Sequence, residues 1–301
     1  MAHLTFTINY HTAWGEQVCL CGTPQELGNS NEAHAVILTA DGDNWSAAVN
    51  IEETADITYY YFIRKGGHTI RREWGNNRKL HITKGRKEFV IQDLWKNKSY
   101  HSYLYSSVFT DTVFRHEMAP LPTRYYDRTV VLNVVCPYVA GNQMLMISGE
   151  CEELGGWNLK LAKPLSYIDE GEWQIALDAK KLPARSEYEF VIVDKSTGDA
   201  VHWEDGGNRV LITEKALKGN VVLVEMSLLF HYQDFAYRGT GTAIPVFSLK
   251  TDNSYGVGDF ADLRKMVDWA ALTRQQLIQL LPVNDTTATK TWRDSYPYSA
   301  I

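Results

Sequence analysis

The chain has 301 residues, of which 45% are hydrophobic and 22% charged, a composition typical of a folded chain with about two domains. Its formal net charge of −6 argues against a nucleic-acid partner, because phosphate binding needs a basic surface. The sequence contains no run of roughly 20 apolar residues that would form a membrane helix, and no signal peptide. We therefore expect neither a nucleic-acid partner nor membrane attachment.

The first half of the chain predicts a series of short strands. Leu4–Tyr10 alternates between apolar and polar residues, as a half-buried strand does. A loop with the sequence CGTPQELGNSN follows at Cys21–Asn31. Trp45 opens another predicted strand, Tyr59–Arg64 is a third, and Arg72–Arg78 forms a Gly/Asn-rich turn before a further apolar strand. No helical periodicity is present in this half.

The same elements then occur a second time, in the same order. They are the strand Val130–Cys136, the loop SGECEELGGWN at Ser148–Asn158, the Trp173 strand, the strand Glu187–Val193 and the turn Trp203–Arg209. An internal repeat of this kind indicates two copies of one structural unit. Short alternating strands separated by Gly, Asn and Asp predict an antiparallel β-sandwich of about 100 residues for each copy.

The segment after Arg238 predicts a different structure. Ala243–Leu249 and Leu277–Val283 are apolar enough for buried strands, and Asp259 can cap an intervening helix, with Asp262 completing a partial capping box. The helix has apolar residues at helical spacing: Phe260, Leu263, Val267 and Ala270. This order predicts a βαβ unit with parallel strands. Because a lone βαβ unit cannot close a core, we expect the opening of a larger domain.

The predicted fold is therefore mainly β, with four segments. They are a first sandwich module, a linker, a second sandwich module and the βαβ segment, at 1–118, 119–128, 129–236 and 237–301. The four cysteines show no Cys-x-x-Cys pair and no metal-ligand spacing. Free thiols suit a reducing compartment, so we expect a cytoplasmic protein without a metal or a cofactor.

The repeated motifs resemble the starch-binding domain, carbohydrate-binding module family 20. The resemblance rests on Leu-Gly in the first loop, Trp at a strand start, Tyr-x-Phe-Ile and Glu-x-x-x-Asn-Arg. It implies immunoglobulin-like sandwiches that bind α-1,4-glucans at two surface sites. One site of the family uses two tryptophans and often a lysine. Trp157 and Trp203 match the tryptophans in the second copy, and Glu189 replaces the lysine.

The first copy departs from this pattern. Ser30 and Arg72 stand at the two tryptophan positions, and Trp74, two residues further on, is an alternative aromatic. The family's other site uses an aromatic residue in an early loop. Trp14 matches that residue in the first copy, whereas Gly141 stands there in the second. The resemblance thus implies one loop-aromatic site and one two-tryptophan site.

Each of these tryptophans also has a structural interpretation. The face of an indole packs on the C–H groups of a sugar ring, but it packs equally well in a protein core. Trp45 and Trp173 open strands, which favours the core. Trp157 and Trp203 lie among turn residues, which favours binding, and both alternatives stay open for Trp14. The repeated Glu/Arg residues are expected to fix a loop by hydrogen bonds: Glu73, Arg78, Glu204 and Arg209.

Residues 238–301 are similar to the start of 4-α-glucanotransferases of glycoside hydrolase family 77. The similarity rests on SYGVGDFADL, QLLPVNDTT and DSYPYS. It implies the first strands of a TIM barrel and a retaining transfer that uses an Asp nucleophile and a Glu acid/base. Those carboxylates belong to later strands, so we assign no catalytic residue here. Tyr298 is a candidate glucan contact, and the alternative, that Tyr298 and Asp285 only shape a loop, is left open.

The sequence therefore predicts the glucan-binding part of a cytoplasmic 4-α-glucanotransferase, inactive alone. The enzyme would transfer α-1,4-glucan segments between malto-oligosaccharides or starch- or glycogen-like glucans. A non-catalytic starch- or glycogen-binding protein is one alternative. A β-sandwich module that binds another protein is the other.

Overall fold

The computed structural model describes most of the chain, in four stretches. They are residues 1–53, 55–119, 125–214 and 221–283. The chain divides into two compact units, Met1–Gln233 and Asp234–Ile301. The predicted first module and residues 129–233 of the predicted second module lie in the first unit.

Each module contains nine strands in its described residues. Those of the first module are β1 Ala2–Asn9, β2 Glu16–Gly22, β3 Val36–Ile37, β4 Thr39–Asp41, β5 Asn44–Ile51, β6 Ala55–Lys65, β7 His68–Arg72, β8 Arg78–Ile82 and β9 Glu88–Asp93. Those of the second are β10 Thr129–Val135, β11 Gln143–Gly149, β12 Lys163–Pro164, β13 Ser166–Asp169, β14 Glu172–Asp178, β15 Arg185–Asp194, β16 Ala200–Trp203, β17 Arg209–Ile212 and β18 Val221–Leu229. The strands correspond one to one, which confirms the repeat.

Each module has one small sheet of its own. In the first module its order is β3-β2-β6-β7, and β8 also pairs with β6. In the second module the order is β12-β11-β15-β16, and β17 also pairs with β15. All pairs in these two small sheets are antiparallel, as the sequence predicts.

The remaining strands of both modules form one shared eight-stranded sheet. Its order is β13-β14-β10-β18-β9-β1-β5-β4. The last strands of the two modules, β9 and β18, are neighbours and run parallel, with Leu223 opposite Val90. The pairs β1/β9 and β10/β18 are parallel as well. The prediction of wholly antiparallel sandwiches is therefore wrong for the four central strands.

The shared sheet is covered on both faces, and this explains why its central strands are so apolar. Phe89 and Ile91 of β9 belong to the first module's core, together with Val224 of β18. Leu223 of β18 belongs to the second module's core, with Val90 of β9 packed against it. Successive residues of a strand point to opposite faces. The two small sheets thus pack against opposite faces, and each module completes the core of the other.

The second unit contains the predicted βαβ unit. It consists of β19 Gly241–Ile244, helix α1 Phe260–Leu272 and β20 Leu277–Leu280, and the two strands are parallel. The side chain of Asp259 accepts hydrogen bonds from two backbone N–H groups of the first turn, and Asp262 completes the capping box. The predicted strand at 243–249 is shorter than expected, because Val246–Ser248 forms a 3₁₀ turn after Pro245.

Ala270, Val246 and Leu249 are buried as the sequence predicts, but other apolar residues of this unit are not. Phe260 and Val267 are 65% and 50% exposed, and Leu277 and Leu280 are also exposed. Within the described part of the chain, no helix is long and apolar enough to cross a membrane.

Candidate functional site

The loop after β11 is shaped by glycine and carries Trp157. A Cβ atom on Gly149 would lie 2.5 Å from the carbonyl oxygen of Glu187, so only glycine fits at the start of this loop. Gly155 ends a 3₁₀ turn with a φ of 87°. Trp157 follows with a φ of 62°, and its backbone N–H donates to the Gly149 carbonyl at 2.9 Å. This anchored loop leaves Trp157 38% exposed.

Trp203 lies on the outer face of the second module's small sheet. It is the last residue of β16 and stands opposite Val191 of β15. The residues that alternate with Glu189 and Val191 pack in the core: Tyr188, Phe190 and Ile192. Because opposed residues share a face of a sheet, Trp203 and Glu189 both lie on the outer face. Trp203 is half-buried there.

The loop that carries Trp157 starts two strands away from Trp203. Gly149, which anchors Trp157, stands opposite Tyr188, three residues from the partner of Trp203. At about 3.3 Å per residue and about 4.8 Å between strands, the backbones of Gly149 and Trp203 lie about 14 Å apart. Glu189 lies on the strand between them, and burial, then the Glu204 carboxylate, raises its pKa. The outer face thus presents Trp203 beside a hydrogen-bond acceptor, and Trp157 is exposed on the loop after β11.

The corresponding surface of the first module is closed. The guanidinium of Arg72 lies 3.7 Å from the centre of the Tyr60 ring, a cation–π contact that covers the ring. The Tyr60 hydroxyl donates to Glu32 at 3.1 Å, and Thr69 donates to the same carboxylate at 2.6 Å. The Arg64 side chain donates to the Glu32 backbone carbonyl. This network occupies the position at which the second module presents Trp203.

Ser30 retains the backbone conformation of Trp157 although it lacks the indole. Its φ is 60°, and its N–H donates to the Gly22 carbonyl at 2.6 Å, as that of Trp157 does to Gly149. The left-handed conformation is therefore a feature of this loop in both modules. It does not itself indicate a binding role for Trp157.

Trp14 lies at the tip of the loop between β1 and β2 and is 97% exposed. Glu16 fixes the turn, since its side chain accepts from the Ala13 N–H at 3.0 Å and its N–H donates to the Ala13 carbonyl at 3.0 Å. Gly15 supplies a φ of 80°. The packing alternative for Trp14 is thus wrong within its own module. The indole is available for a ligand.

Trp74 does not lie on the closed surface of the first module. The backbone N–H of Trp74 donates to the backbone carbonyl of Lys96 at 3.0 Å, and its ring meets that of Tyr105 edge-on, with centres 4.8 Å apart. It is half-buried and lines a cleft where the two modules meet. Trp74 therefore cannot replace Arg72 in a two-tryptophan surface site.

The core assignments for the other tryptophans are confirmed. Trp45 is 7% exposed and donates from its indole nitrogen to the Tyr10 carbonyl at 3.1 Å. Trp173 is 4% exposed and donates to the Cys136 carbonyl at 3.0 Å. In both modules this indole hydrogen bond fixes the backbone just after the first strand, β1 or β10.

The repeated Glu/Arg pairs are structural, as predicted. Arg78 makes two hydrogen bonds to Glu73, which also accepts from the backbone N–H groups of Tyr61 and Lys96. Arg209 is bound to Glu204 in the same way. The first module adds a buried Asp93, which accepts from two tyrosine hydroxyls, and burial raises its pKa to about 6. These groups stabilise the turns that carry Trp74 and Trp203.

The candidate contact Tyr298 lies outside the described residues, as does Asp285. The repeated motifs do not indicate the cleft lined by Trp74. Its other aromatic residues follow β9, β10 and β18, in segments that carry no repeated motif. Clusters of Tyr and His at 100–105 and 230–232 were the available signal.

The unit Met1–Gln233 holds two β-sandwich modules, each with an exposed tryptophan on a loop, Trp14 in the first and Trp157 in the second. The family model for the starch-binding domain matches residues 1–91 and 128–222, more than half of the chain. The chain therefore belongs to the starch-binding domain family, with two copies. The family model for 4-α-glucanotransferase matches residues 244–301.

The chain is similar over different lengths to several known proteins. The 4-α-glucanotransferase DPE2 of Oryza sativa subsp. japonica is 28% identical over 99% of this chain, which spans 33% of the rice protein. A 4-α-glucanotransferase of Chlamydia muridarum is 44% identical over 20% of this chain and 11% of its own length. Among solved structures, a glucoamylase from Hypocrea jecorina is 25% identical over 32% of this chain and 17% of its own, with a TM-score of 0.30.

Proposed function

We propose that this chain binds α-1,4-glucans, such as starch, glycogen and malto-oligosaccharides, through Trp157 and Trp203 of the second module and Trp14 of the first. The observation that carries the proposal is the contrast between the two small sheets. The second module presents Trp203 beside Glu189 on its outer face, with Trp157 exposed on the loop after β11, and the first module covers the place of Trp203 with Arg72. A flat indole supplies the apolar area that a sugar ring needs, and carboxylates bind the rim hydroxyls.

We propose further that the whole protein is a 4-α-glucanotransferase and that residues 237–301 begin its TIM barrel. The match to the glucanotransferase family and the parallel strands β19 and β20 support this proposal. Such an enzyme transfers a glucan segment with retention, using two carboxylates. The modules would hold the polymer near the barrel. The four free cysteines support a reducing, cytoplasmic location.

Affinity electrophoresis in amylopectin tests the binding proposal. We expect the polymer to retard the chain and the changes Trp157→Ala and Trp203→Ala each to reduce the retardation. Trp14→Ala should weaken it further, because two weak sites on one polymer act together. Trp269→Ala is the matched control, since this helix residue is 48% exposed and lies outside both modules. Unchanged mobility of all three module variants would refute the site assignment.

A non-catalytic glucan-binding protein is the competing proposal, and the family match of the two modules supports it equally. The two differ in whether the complete protein acts on malto-oligosaccharides. Production of glucose and longer oligomers from maltotriose by the complete protein supports the transferase. Binding without such products supports the alternative.

A further inference from the structure

A cleft of about 900 Å³ lies where the two modules meet. Its position follows from the parallel strands of the shared sheet. Because β9 and β18 run side by side in one direction, the residues that follow them emerge together. Lys96 and Phe230 therefore face the same space, and Tyr138, after β10, borders it as well. The cleft exists only in the tandem arrangement, since both modules and the segment 97–105 line it.

The lining combines aromatic rings with hydrogen-bonding groups. Its main rings are Trp74, Tyr100, Tyr105, Tyr138, Phe230 and Tyr232. Tyr100 is fully exposed, and Tyr138 meets Tyr232 with ring centres 5.5 Å apart. Polar groups among these rings include Asn76, Asn97, Glu170, Asp205 and Gln233. Ligand pockets of about 300–1,000 Å³ with many apolar groups and a few polar ones are typical of small-molecule sites.

A buried ion pair connects the two walls of the cleft. Lys96 of the first module lies 2.7 Å from Glu172 of the second, and both side chains are largely buried. The Lys96 ammonium also donates to the Asn76 carbonyl at 2.9 Å, and Asn133 donates to Glu172 at 3.4 Å. Groups held in this way lose little freedom when a ligand binds. The cleft is thus formed before any ligand enters.

The charges of the lining select against anions. Three carboxylates line the cleft, those of Glu170, Glu172 and Asp205, against the two lysines Lys96 and Lys98. Lys96 is already paired with Glu172. A phosphate would meet a net negative lining, whereas a neutral polyol can use the carboxylates and amides as acceptors and donors. Aromatic faces beside such groups fit sugar rings.

We propose that this intermodular cleft is a third glucan-binding site, which takes a malto-oligosaccharide or a short segment of an α-glucan. The inference rests on the proposed function, because it takes the ligand class from it. It differs from the surface sites in needing both modules at once. Trp14 follows β1, which runs parallel to β9, so its loop lies at the same end of the shared sheet as the cleft. One glucan chain could therefore contact both.

Isothermal titration with maltotetraose tests the proposal on the 301-residue chain. The variant with Trp14, Trp157 and Trp203 all changed to Ala should retain one site per chain. Adding Tyr100→Ala should weaken that site about tenfold, the loss expected for one stacked aromatic ring. Asn97→Trp, at an exposed position of the lining, should weaken it as well by filling the cleft. Tyr103→Ala is the matched control, because Tyr103 is 43% exposed on the same segment but does not line the cleft.

The outcomes separate the inference from the proposed function. No binding by the unaltered chain overturns both. Binding by the unaltered chain that disappears in the triple variant overturns only the cleft site. A residual site that ignores Tyr100→Ala and Asn97→Trp, or responds equally to Tyr103→Ala, also overturns it.

Discussion

The shared sheet predicts that damage to the second module's core destabilises the first module. Leu223 is fully buried on β18, belongs to the second core and stands opposite Val90 of β9. Replacement of a buried leucine by alanine costs about 2–5 kcal/mol. Because β18 also supplies Val224 to the first core, neither core stays intact when this strand detaches. We expect Leu223→Ala to lower the stability of the unit Met1–Gln233 as a whole.

Native-state hydrogen exchange measures the free energy of unfolding for each module separately. A loss of about 3 kcal/mol raises exchange through global unfolding about 100-fold. We expect this acceleration in peptides from β2 and β6 of the first module as much as in those from β11 and β15. Leu161→Ala, at a 63% exposed position of the second module, is the matched control and should change neither set. Acceleration confined to the second module would refute the shared-core argument.

Three changes and one assay of the unaltered chain test the buried groups, the sites and the chemistry. Burial raises the pKa of Asp93 to about 6, so its protonated carboxyl group stabilises the fold when the pH is below the pKa of Asp93 in the unfolded chain, and this contribution is lost as the pH rises through 6. In urea unfolding, the unaltered chain should therefore lose about 2–3 kcal/mol of stability relative to Asp93→Asn between pH 4 and 6. Arg78→Met leaves two buried carboxylates unpaired and should cost about 3–5 kcal/mol in the same assay. Joint replacement of Ser30 and Arg72 by Trp should increase retardation in amylopectin, because Ser30 already has the backbone conformation of Trp157. The 301-residue chain incubated with maltotriose should release no glucose, since no catalytic carboxylate is assigned to it, and chromatographic detection of glucose would contradict that.

The sequence predicted those features that depend on local pattern. The repeat, the strands, the capping box at Asp259 and the core positions of Trp45 and Trp173 all follow from alternation, turn residues and spacing. It did not predict the pairing of β9 with β18, which lies between strands more than a hundred residues apart. The apolar residues on both faces of β18, Val221–Leu229, were the available sign of a fully covered strand.

The candidate sites could be predicted only in part. The sequence left both alternatives open for Trp14, and it placed Arg72 at a tryptophan position without showing that Arg72 covers the Tyr60 ring. The position of Trp74 could not be predicted, because the other wall of its cleft belongs to the second module. A cleft formed between two repeats is absent from each repeat taken alone. Motifs of the single module therefore cannot reveal it.

The two modules have diverged in side chains while their backbone stayed the same, and this divergence limits where the proposed glucan contacts can lie. The small sheets lie on opposite faces of the shared sheet, so the Trp203 surface and the closed Arg72 surface face away from each other. Trp14 lies at the end of the sheet where the cleft opens. The proposed contacts lie at one end of the shared sheet and on one of its faces. This arrangement favours the binding of a single polymer that runs along one side of the unit. Their combined affinity then depends on the fixed spacing that the shared sheet provides, since linked weak sites gain from a geometry that allows both to be occupied.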